Sequence, residues 1–295
     1  MLTEQKNNTV RNPFIMIGKV FKYEFIATAR RLALIYALIP IISLTIGILI
    51  RNTIVKAIMS EHKNEEAIVE RFMPLGMILY FLCYIFIIVA SISTIIVLYN
   101  RFKKGMFGKE AYLNFTLPVS AGEHLCARIL SAVAWYFIFG FTMFISMILF
   151  VLTNIDKIFK LMRDNDVHIP SWASINIEFE RSMHCSIGGF LAAAFVTMLV
   201  ASILFVVFLY MISSIGHLAK KHKILLQFIA VIASFTVMNI IVTKLFASFI
   251  IQSAKAYEVP NFVNMLWMMT PIGLVFSAIY IAICYLVLKF RLNLE

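Results

Sequence analysis

The residues of this chain that come closest to a nucleotide-binding motif are Gly105 and Gly108, followed by Lys109. A phosphate-binding loop has the pattern GxxxxGK[ST], in which backbone amides surround the phosphates. Here the glycines are too close together, and Glu110 stands where the loop needs a serine or threonine. The sequence also contains no GxSxG, HExxH or EF-hand pattern. We therefore expect this chain to have no catalytic residues, to bind no cofactor and not to hydrolyse ATP itself.

The histidines and cysteines do not have the spacing of a metal or redox site. We expect solvated side chains at the six histidines, which lie in loops or at the edges of apolar segments: His62, His124, His168, His184, His217 and His222. The cysteines form no CxxC pair, so we interpret them as small apolar residues: Cys83, Cys126, Cys185 and Cys284. The sequence therefore predicts no metal site.

The composition indicates a membrane protein. Of the 295 residues, 62% are hydrophobic and only 14% are charged, whereas soluble domains are about 45–50% apolar and about 25% charged. A soluble protein of this size could not hide so much apolar surface, but a lipid-facing surface does not need polar groups. The net charge of +11 is carried largely by short loops, which is typical of membrane orientation signals and not of a nucleic-acid-binding face.

Six apolar segments are long enough to cross a bilayer core of about 30 Å as helices. They cover residues 32–50, 75–99, 129–152, 187–215, 224–242 and 268–288. The chain is therefore predicted to be an all-α integral membrane protein with a single membrane domain. A short helix is possible in the 153–186 connection.

The six segments contain no Asp, Glu, Lys, Arg or His. Intramembrane ionisable groups usually carry ion relays, so their absence disfavours ion-coupled transport. Gln227 and Asn239 are expected to hydrogen-bond between helices, and Gly188 with Ala192 could allow two helices to approach closely.

The loop charges predict that both termini are cytoplasmic. The N-terminal segment, the 100–128 and 216–223 loops and the C-terminal tail together hold sixteen Lys/Arg and five Asp/Glu, whereas the other three loops hold ten of each. Cytoplasmic loops of membrane proteins carry an excess of Lys and Arg.

The segment Pro13–Arg31 has an amphipathic pattern. Phe14, Ile17, Phe21, Phe25 and Thr28 form one helical stripe, and Lys19, Tyr23 and Arg30 lie opposite. This pattern predicts a helix lying in the cytoplasmic membrane interface. A simple cytoplasmic extension of the first span is the alternative.

The cytoplasmic stretch from Asn100 to Arg128 differs from the other loops because aromatic residues follow its basic ones. Ser120 lies three residues before Glu123, which is a capping-box pattern that can start a helix. Exposed apolar residues surrounded by charge are typical of a protein-docking element. A loop tucked under the lipid headgroups would carry the same pattern, so both interpretations stay open on residue types alone. The apolar and aromatic residues are Met106, Phe107, Tyr112, Leu113, Phe115 and Leu117.

The string GKEAYLNFTLPVSAGEHLCARILSAVAW resembles the cytoplasmic loop and third-helix entry of ABC transporter permeases of the type-two export class, as found in Firmicutes. Members of this family commonly carry the pattern E-x-Y-L-x-x-T-L-P-V-S, which corresponds here to Glu110, Tyr112, Leu113, Thr116, Leu117, Pro118, Val119 and Ser120. The segment Phe21–Arg30 is similar to the interfacial helix of the same permeases. Ala111 departs from the glycine expected in the pattern.

The resemblance implies a permease subunit of the bacterial cytoplasmic membrane that pairs with a separate ATPase. The 100–123 loop would contain the coupling helix, with Phe107, Glu110, Tyr112, Leu113, Thr116, Leu117 and Pro118 as its contact residues. ATP would bind to the partner subunit, and two permease chains, identical or paralogous, would assemble with two ATPases.

Two other functions remain possible from the residues alone. One is a membrane anchor or a sensory or assembly protein, and the other is a membrane-embedded enzyme, which would need clustered His, Asp or Glu at a membrane edge. If the chain is an exporter, its charge-free spans suit a hydrophobic or amphipathic cargo, such as a peptide, drug or lipid.

Overall fold

The structure is a computed structural model that describes residues 12–51, 65–116, 119–164, 171–219, 221–255 and 262–290. Every regular element in these ranges is a helix. In chain order they are α1 (Pro13–Ile50), α2 (Glu65–Phe107), α3 (Lys109–Thr116), α4 (Ala121–Asp164), α5 (Trp172–Met183), α6 (Ile187–Gly216), α7 (Lys223–Lys255) and α8 (Phe262–Phe290).

Six of these helices are long and apolar enough to cross a membrane, namely α1, α2, α4, α6, α7 and α8. This confirms the predicted all-α membrane fold with six spans. Pro40, Pro74 and Pro271 lie inside helices α1, α2 and α8. Helices in a membrane tolerate proline because neighbouring groups can satisfy the freed carbonyl.

The spanning helices pack most closely as two parallel pairs, α1 with α4 and α6 with α8. In the first pair, Ser43 Oγ donates to the Ser146 carbonyl at 2.7 Å, and Arg51 Nη1 donates to the Thr153 carbonyl at 3.2 Å. Such polar contacts contribute to helix association in lipid, where apolar surface gives little driving force. Buried apolar residues from α1, α2, α4, α6 and α8 form one continuous core.

Helices α6 and α8 form the second pair, with a close approach at one glycine and a hydrogen bond from a threonine hydroxyl. A Cβ added at Gly273 of α8 would come within 2.6 Å of Val200 Cγ1, so α6 and α8 approach closely at this glycine. Thr197 Oγ1 also donates to the Leu266 carbonyl at 3.3 Å. Helix α7 packs mainly against α6, and the most apolar part of α7 has no buried residue.

The amphipathic N-terminal segment is helical, but it continues into the first span without a break. Helix α1 has 38 residues, so it is about 57 Å long at about 1.5 Å per residue, roughly twice the bilayer core. Within the predicted apolar stripe, Phe25 stacks on Trp135 of α4 with ring centroids 4.7 Å apart, and Thr28 is buried. The C-terminal part of the stripe therefore packs against protein, and the arrangement matches an extension of the first span.

Three smaller predictions can be compared with the structure. The 153–186 connection contains the short helix α5, which begins after Ser171. Gln227 Nε2 donates to Tyr99 Oη at 2.9 Å and so joins α7 to α2, as predicted for this residue. Gly188 has open space around it and makes no close helix contact, and Asn239 is exposed.

Candidate functional site

The loop singled out by the sequence contains a break between two helices. Helix α2 ends at Phe107, and α3 begins at Lys109. A Cβ at Gly108 would come within 2.8 Å of the Lys104 carbonyl oxygen, so this position favours glycine. The glycine therefore permits a close backbone approach at a helix break, which is a different role from holding a phosphate.

The turn from α3 into α4 contains the predicted capping box. The Ser120 amide donates to Glu123 Oε2 at 2.7 Å, and the Glu123 amide donates to Ser120 Oγ at 3.3 Å. This reciprocal pair satisfies two amides at the start of α4 that have no partner within the helix. The helix start predicted at this point is confirmed.

Helix α3 exposes part of the predicted docking surface. Tyr112 is 66% exposed, and Thr116, four residues further and hence on the same helix face, is also exposed. Glu110 is exposed and lies 3.5 Å from Arg101 of α2. Leu113 lies on α3, whereas Leu117 and Pro118 fall outside the described residues.

Phe107 and Ala111 do not belong to this exposed face. Phe107 is half-buried and stacks on the His217 ring, with centroids 4.3 Å apart. Ala111, the departure from the family pattern, is fully buried at 0% exposure. The predicted contact residues are therefore divided between an outward face, which includes Tyr112, and an inward one.

Two partly buried hydrogen bonds anchor α3 to the ends of α2 and α4. Asn114 Nδ2 donates to the Gly105 carbonyl at 2.8 Å. His124 Nε2 donates to the Asn114 carbonyl at 3.0 Å. Because Asn114 contacts α2 with its side chain and α4 with its backbone, α3 is held between the two spanning helices.

Beneath α3 lies an ion cluster that consists of Glu24 from α1, Arg101 from α2 and Arg128 from α4. Glu24 Oε1 is 2.7 Å from Arg128 Nη2, and Glu24 Oε2 is 2.9 Å from Arg101 Nε. The Arg128 side chain is only 3% exposed. Removing one partner of a buried ion pair costs about 3–5 kcal/mol, because the other charge stays buried without compensation.

The ion cluster joins a fourth helix through Tyr210 of α6. The Tyr210 hydroxyl donates to the Arg128 carbonyl at 3.4 Å. Its ring stacks on Phe102 of α2, with centroids 3.9 Å apart. One end of the bundle, which we call the basic end, therefore collects Glu24, Arg101, Arg128, Tyr210 and helix α3.

Sequence reasoning missed Glu24 and two histidines. Glu24 lies three residues after Phe21 and four before Thr28, so it shares the apolar stripe, and a carboxylate within such a stripe was the available signal. The expectation of solvated histidines is wrong for His124, which is 1% exposed, and for His217, which is covered by Phe107. His62 and His168 lie outside the described residues.

The described residues contain no group of three potential metal ligands. They do line an apolar cavity of about 310 Å³ between α6, α7 and α8, whose walls include Leu204, Phe205, Phe208, Phe235 and Tyr280. No family model, curated protein or solved structure matches the chain.

Proposed function

We propose that this chain is the permease subunit of an ATP-driven exporter of the ABC type, in the cytoplasmic membrane of a bacterium. The six spanning helices would form the translocation path, and α3 would dock on a separate ATPase subunit. The observation that supports this most is the short helix α3, which presents Tyr112 outwards while Asn114 anchors it to α2 and α4.

The division of α3 into an exposed and a buried face suits a docking element. Aromatic side chains such as Tyr112 are preferred anchors in protein interfaces because they bury a large area at a small entropic cost. A rigidly anchored helix also transmits a displacement better than a loose loop. ATP binding and hydrolysis on the partner would move α3, and α3 would move the ends of α2 and α4.

The cargo in this proposal is hydrophobic or amphipathic. The six predicted spans carry no charged residue, and the cavity between α6, α7 and α8 is lined largely by apolar and aromatic side chains. An ionic substrate would usually need a buried counter-charge along its path. Transport of only small hydrophilic ions into vesicles would contradict this part of the proposal.

Affinity purification of the tagged chain in mild detergent tests the docking proposal. We expect a stoichiometric soluble subunit with a P-loop to co-purify and to hydrolyse ATP. Tyr112→Ala should reduce its recovery at least fivefold, and Glu110→Lys should reduce it less, because Glu110 contributes one exposed charge. Tyr84→Ala is the matched control, since Tyr84 is a 54% exposed tyrosine on the spanning part of α2.

Two results would contradict the proposal. If the wild-type chain purifies without any ATPase, the function is that of an anchor, sensor or assembly protein. If an ATPase binds but Tyr112→Ala and Glu110→Lys both retain full binding and transport, α3 is not the docking helix.

A further inference from the structure

We propose that Glu24 is a positioning residue that fixes the docking helix α3 relative to the packed pair α1 and α4. This inference rests on the proposed function, which makes α3 the docking helix. Among the described side chains, Glu24 is connected to α3 indirectly, first through Arg128 and then through Gly105.

The two oxygens of the Glu24 carboxylate pair with arginines from two different helices. One oxygen is paired with Arg128 of α4 at 2.7 Å and the other with Arg101 of α2 at 2.9 Å. Within the described part of the chain, Glu24 is the one acidic residue that pairs with both cations, at the point where α1, α2 and α4 meet. A neutral side chain at position 24 would leave the Arg128 guanidinium buried without its counter-charge.

The second connection leads from Arg128 to α3. Arg128 Nη1 donates to the Arg101 carbonyl at 3.2 Å, and the guanidinium lies against Gly105, where any Cβ would overlap it. Gly105 in turn accepts the hydrogen bond from Asn114 of α3 at 2.8 Å. A displacement of Arg128 therefore displaces the backbone to which α3 is attached. The direct contact between Arg101 and Glu110 is exposed and adds little.

On the other side, Glu24 is connected to the spanning part of the bundle. The next residue, Phe25, stacks on Trp135 of α4, and Tyr36 packs against the same indole with centroids 5.7 Å apart. Trp135 is 4% exposed. Movement of α3 that reaches Glu24 would therefore change the surroundings of Trp135, which makes this residue a reporter.

The first arm of the test uses the purified full-length chain alone and measures hydrogen exchange. Glu24→Gln should accelerate exchange of the α3 amides, residues 109–116, at least tenfold, with no change in α7. Thr28→Val is the matched control: Thr28 is also buried on α1, one turn further on, but its hydroxyl donates to the Glu24 carbonyl within the same helix. Unaltered α3 exchange in Glu24→Gln would overturn the proposal.

The second arm adds the co-purified ATPase subunit and measures the change in Trp135 fluorescence on addition of ATP, in a background carrying Trp172→Phe and Trp267→Phe. We expect Glu24→Gln to bind the ATPase within about twofold of wild type, to lose the Trp135 response and to transport at least tenfold more slowly. Glu24→Asp keeps the charge but shortens its reach, so it should show intermediate values. If Glu24→Gln does not fold, the Trp135 response and the transport rate of Glu24→Asp test the proposal instead.

The outcomes separate this inference from the proposed function. If wild type binds no ATPase but the first arm gives the expected result, the proposed function fails while Glu24 still positions α3. If the ATPase binds and Glu24→Gln retains both the Trp135 response and transport, Glu24 has no positioning role. A general loss of stability in both Glu24 variants, with α3 and α7 exchanging faster to the same extent, would show a merely structural role and would overturn the inference.

Discussion

At the scale of single residues, Gly105 is the described glycine at which an added Cβ would meet the closest contact, with Arg128 Nη1. A side chain there would overlap the Arg128 guanidinium, which cannot retreat because it is buried and paired with Glu24. The sequence showed Gly105 only as part of a string that failed as a phosphate loop. Its reason for being glycine depends on a residue 23 positions away in the chain, and one sequence does not reveal that proximity.

Gly105→Ala should therefore destabilise the protein. Forcing extra atoms into a packed site costs typically about 1–3 kcal/mol, and we expect a lower temperature of unfolding in detergent. Gly18→Ala is the control, because Gly18 lies on α1 with no atom within 4 Å of an added Cβ. That change should be neutral or stabilising by up to about 1 kcal/mol, since alanine favours helix. Equal effects of the two substitutions would contradict the close packing at Gly105.

His217 should make stability depend on pH. Burial beside Phe107, together with the nearby Lys223 and Lys103, lowers the pKa of His217 below its ordinary value of 6.5, although its contact with the Ser213 carbonyl acts in the opposite direction. The folded state thus binds this proton less readily than the unfolded state. The contribution of His217 to the free energy of unfolding is therefore fully present above about pH 6.5. It is lost as the pH falls through the lower pKa that His217 has in the folded state.

Unfolding temperatures measured between pH 5 and pH 8 test this expectation. The wild-type protein should lose stability towards acid, and His217→Gln should show a smaller loss over the same range. The comparison is His222→Gln, which removes an exposed imidazole from the same connection between α6 and α7. An unchanged slope in His217→Gln would show that other groups cause the acid sensitivity.

At the scale of helices, the apolar segments predicted the number and type of the spans but not their full lengths. The first span was predicted over residues 32–50, whereas α1 covers Pro13–Ile50. Hydropathy identifies only the part of a helix that lies in lipid. The extensions of α1 and α2 beyond the predicted spans are stabilised by tertiary contacts at the basic end, such as Glu24 with Arg101.

The capping box was predictable because its signal is local. Ser120 and Glu123 are three residues apart, and this spacing alone brings each side chain to the backbone amide of the other. Ser120→Ala should cost about 1 kcal/mol and accelerate hydrogen exchange in the first turn of α4. Ser120→Thr keeps the hydroxyl and should be almost as stable as wild type. If Ser120→Thr loses as much stability as Ser120→Ala, the hydroxyl cap contributes nothing.

At the scale of the whole molecule, loop charge predicts the orientation in the membrane, and two natural cysteines allow it to be tested. Cys126 is exposed at the basic end of α4, and Cys185 is partly exposed between α5 and α6. If the basic end is cytoplasmic, a membrane-impermeant maleimide should label Cys185 but not Cys126 in intact cells. Variants that keep only one of the two cysteines give the measurement.

Permeabilised cells serve as the control, because both cysteines should then react. Labelling of Cys126 in intact cells would reverse the predicted topology and would place α3 on the outside, where no ATPase could reach it. The orientation is the part of the fold that depends on sequence statistics alone. The pairing of α1 with α4 was, in contrast, not predictable, because it depends on contacts between segments about a hundred residues apart, such as Ser43 and Ser146.

This pairing has a consequence for biogenesis. Each closely packed pair, α1 with α4 and α6 with α8, skips a spanning helix that lies between its members in the chain. While the ribosome is still synthesising the protein, α1 enters the bilayer before α4 exists, so the Ser43 hydroxyl lacks the Ser146 carbonyl that accepts its hydrogen bond in the folded protein. A chain whose translation stops after α2 therefore exposes this hydroxyl to lipid, which is the kind of defect that a membrane protease can recognise.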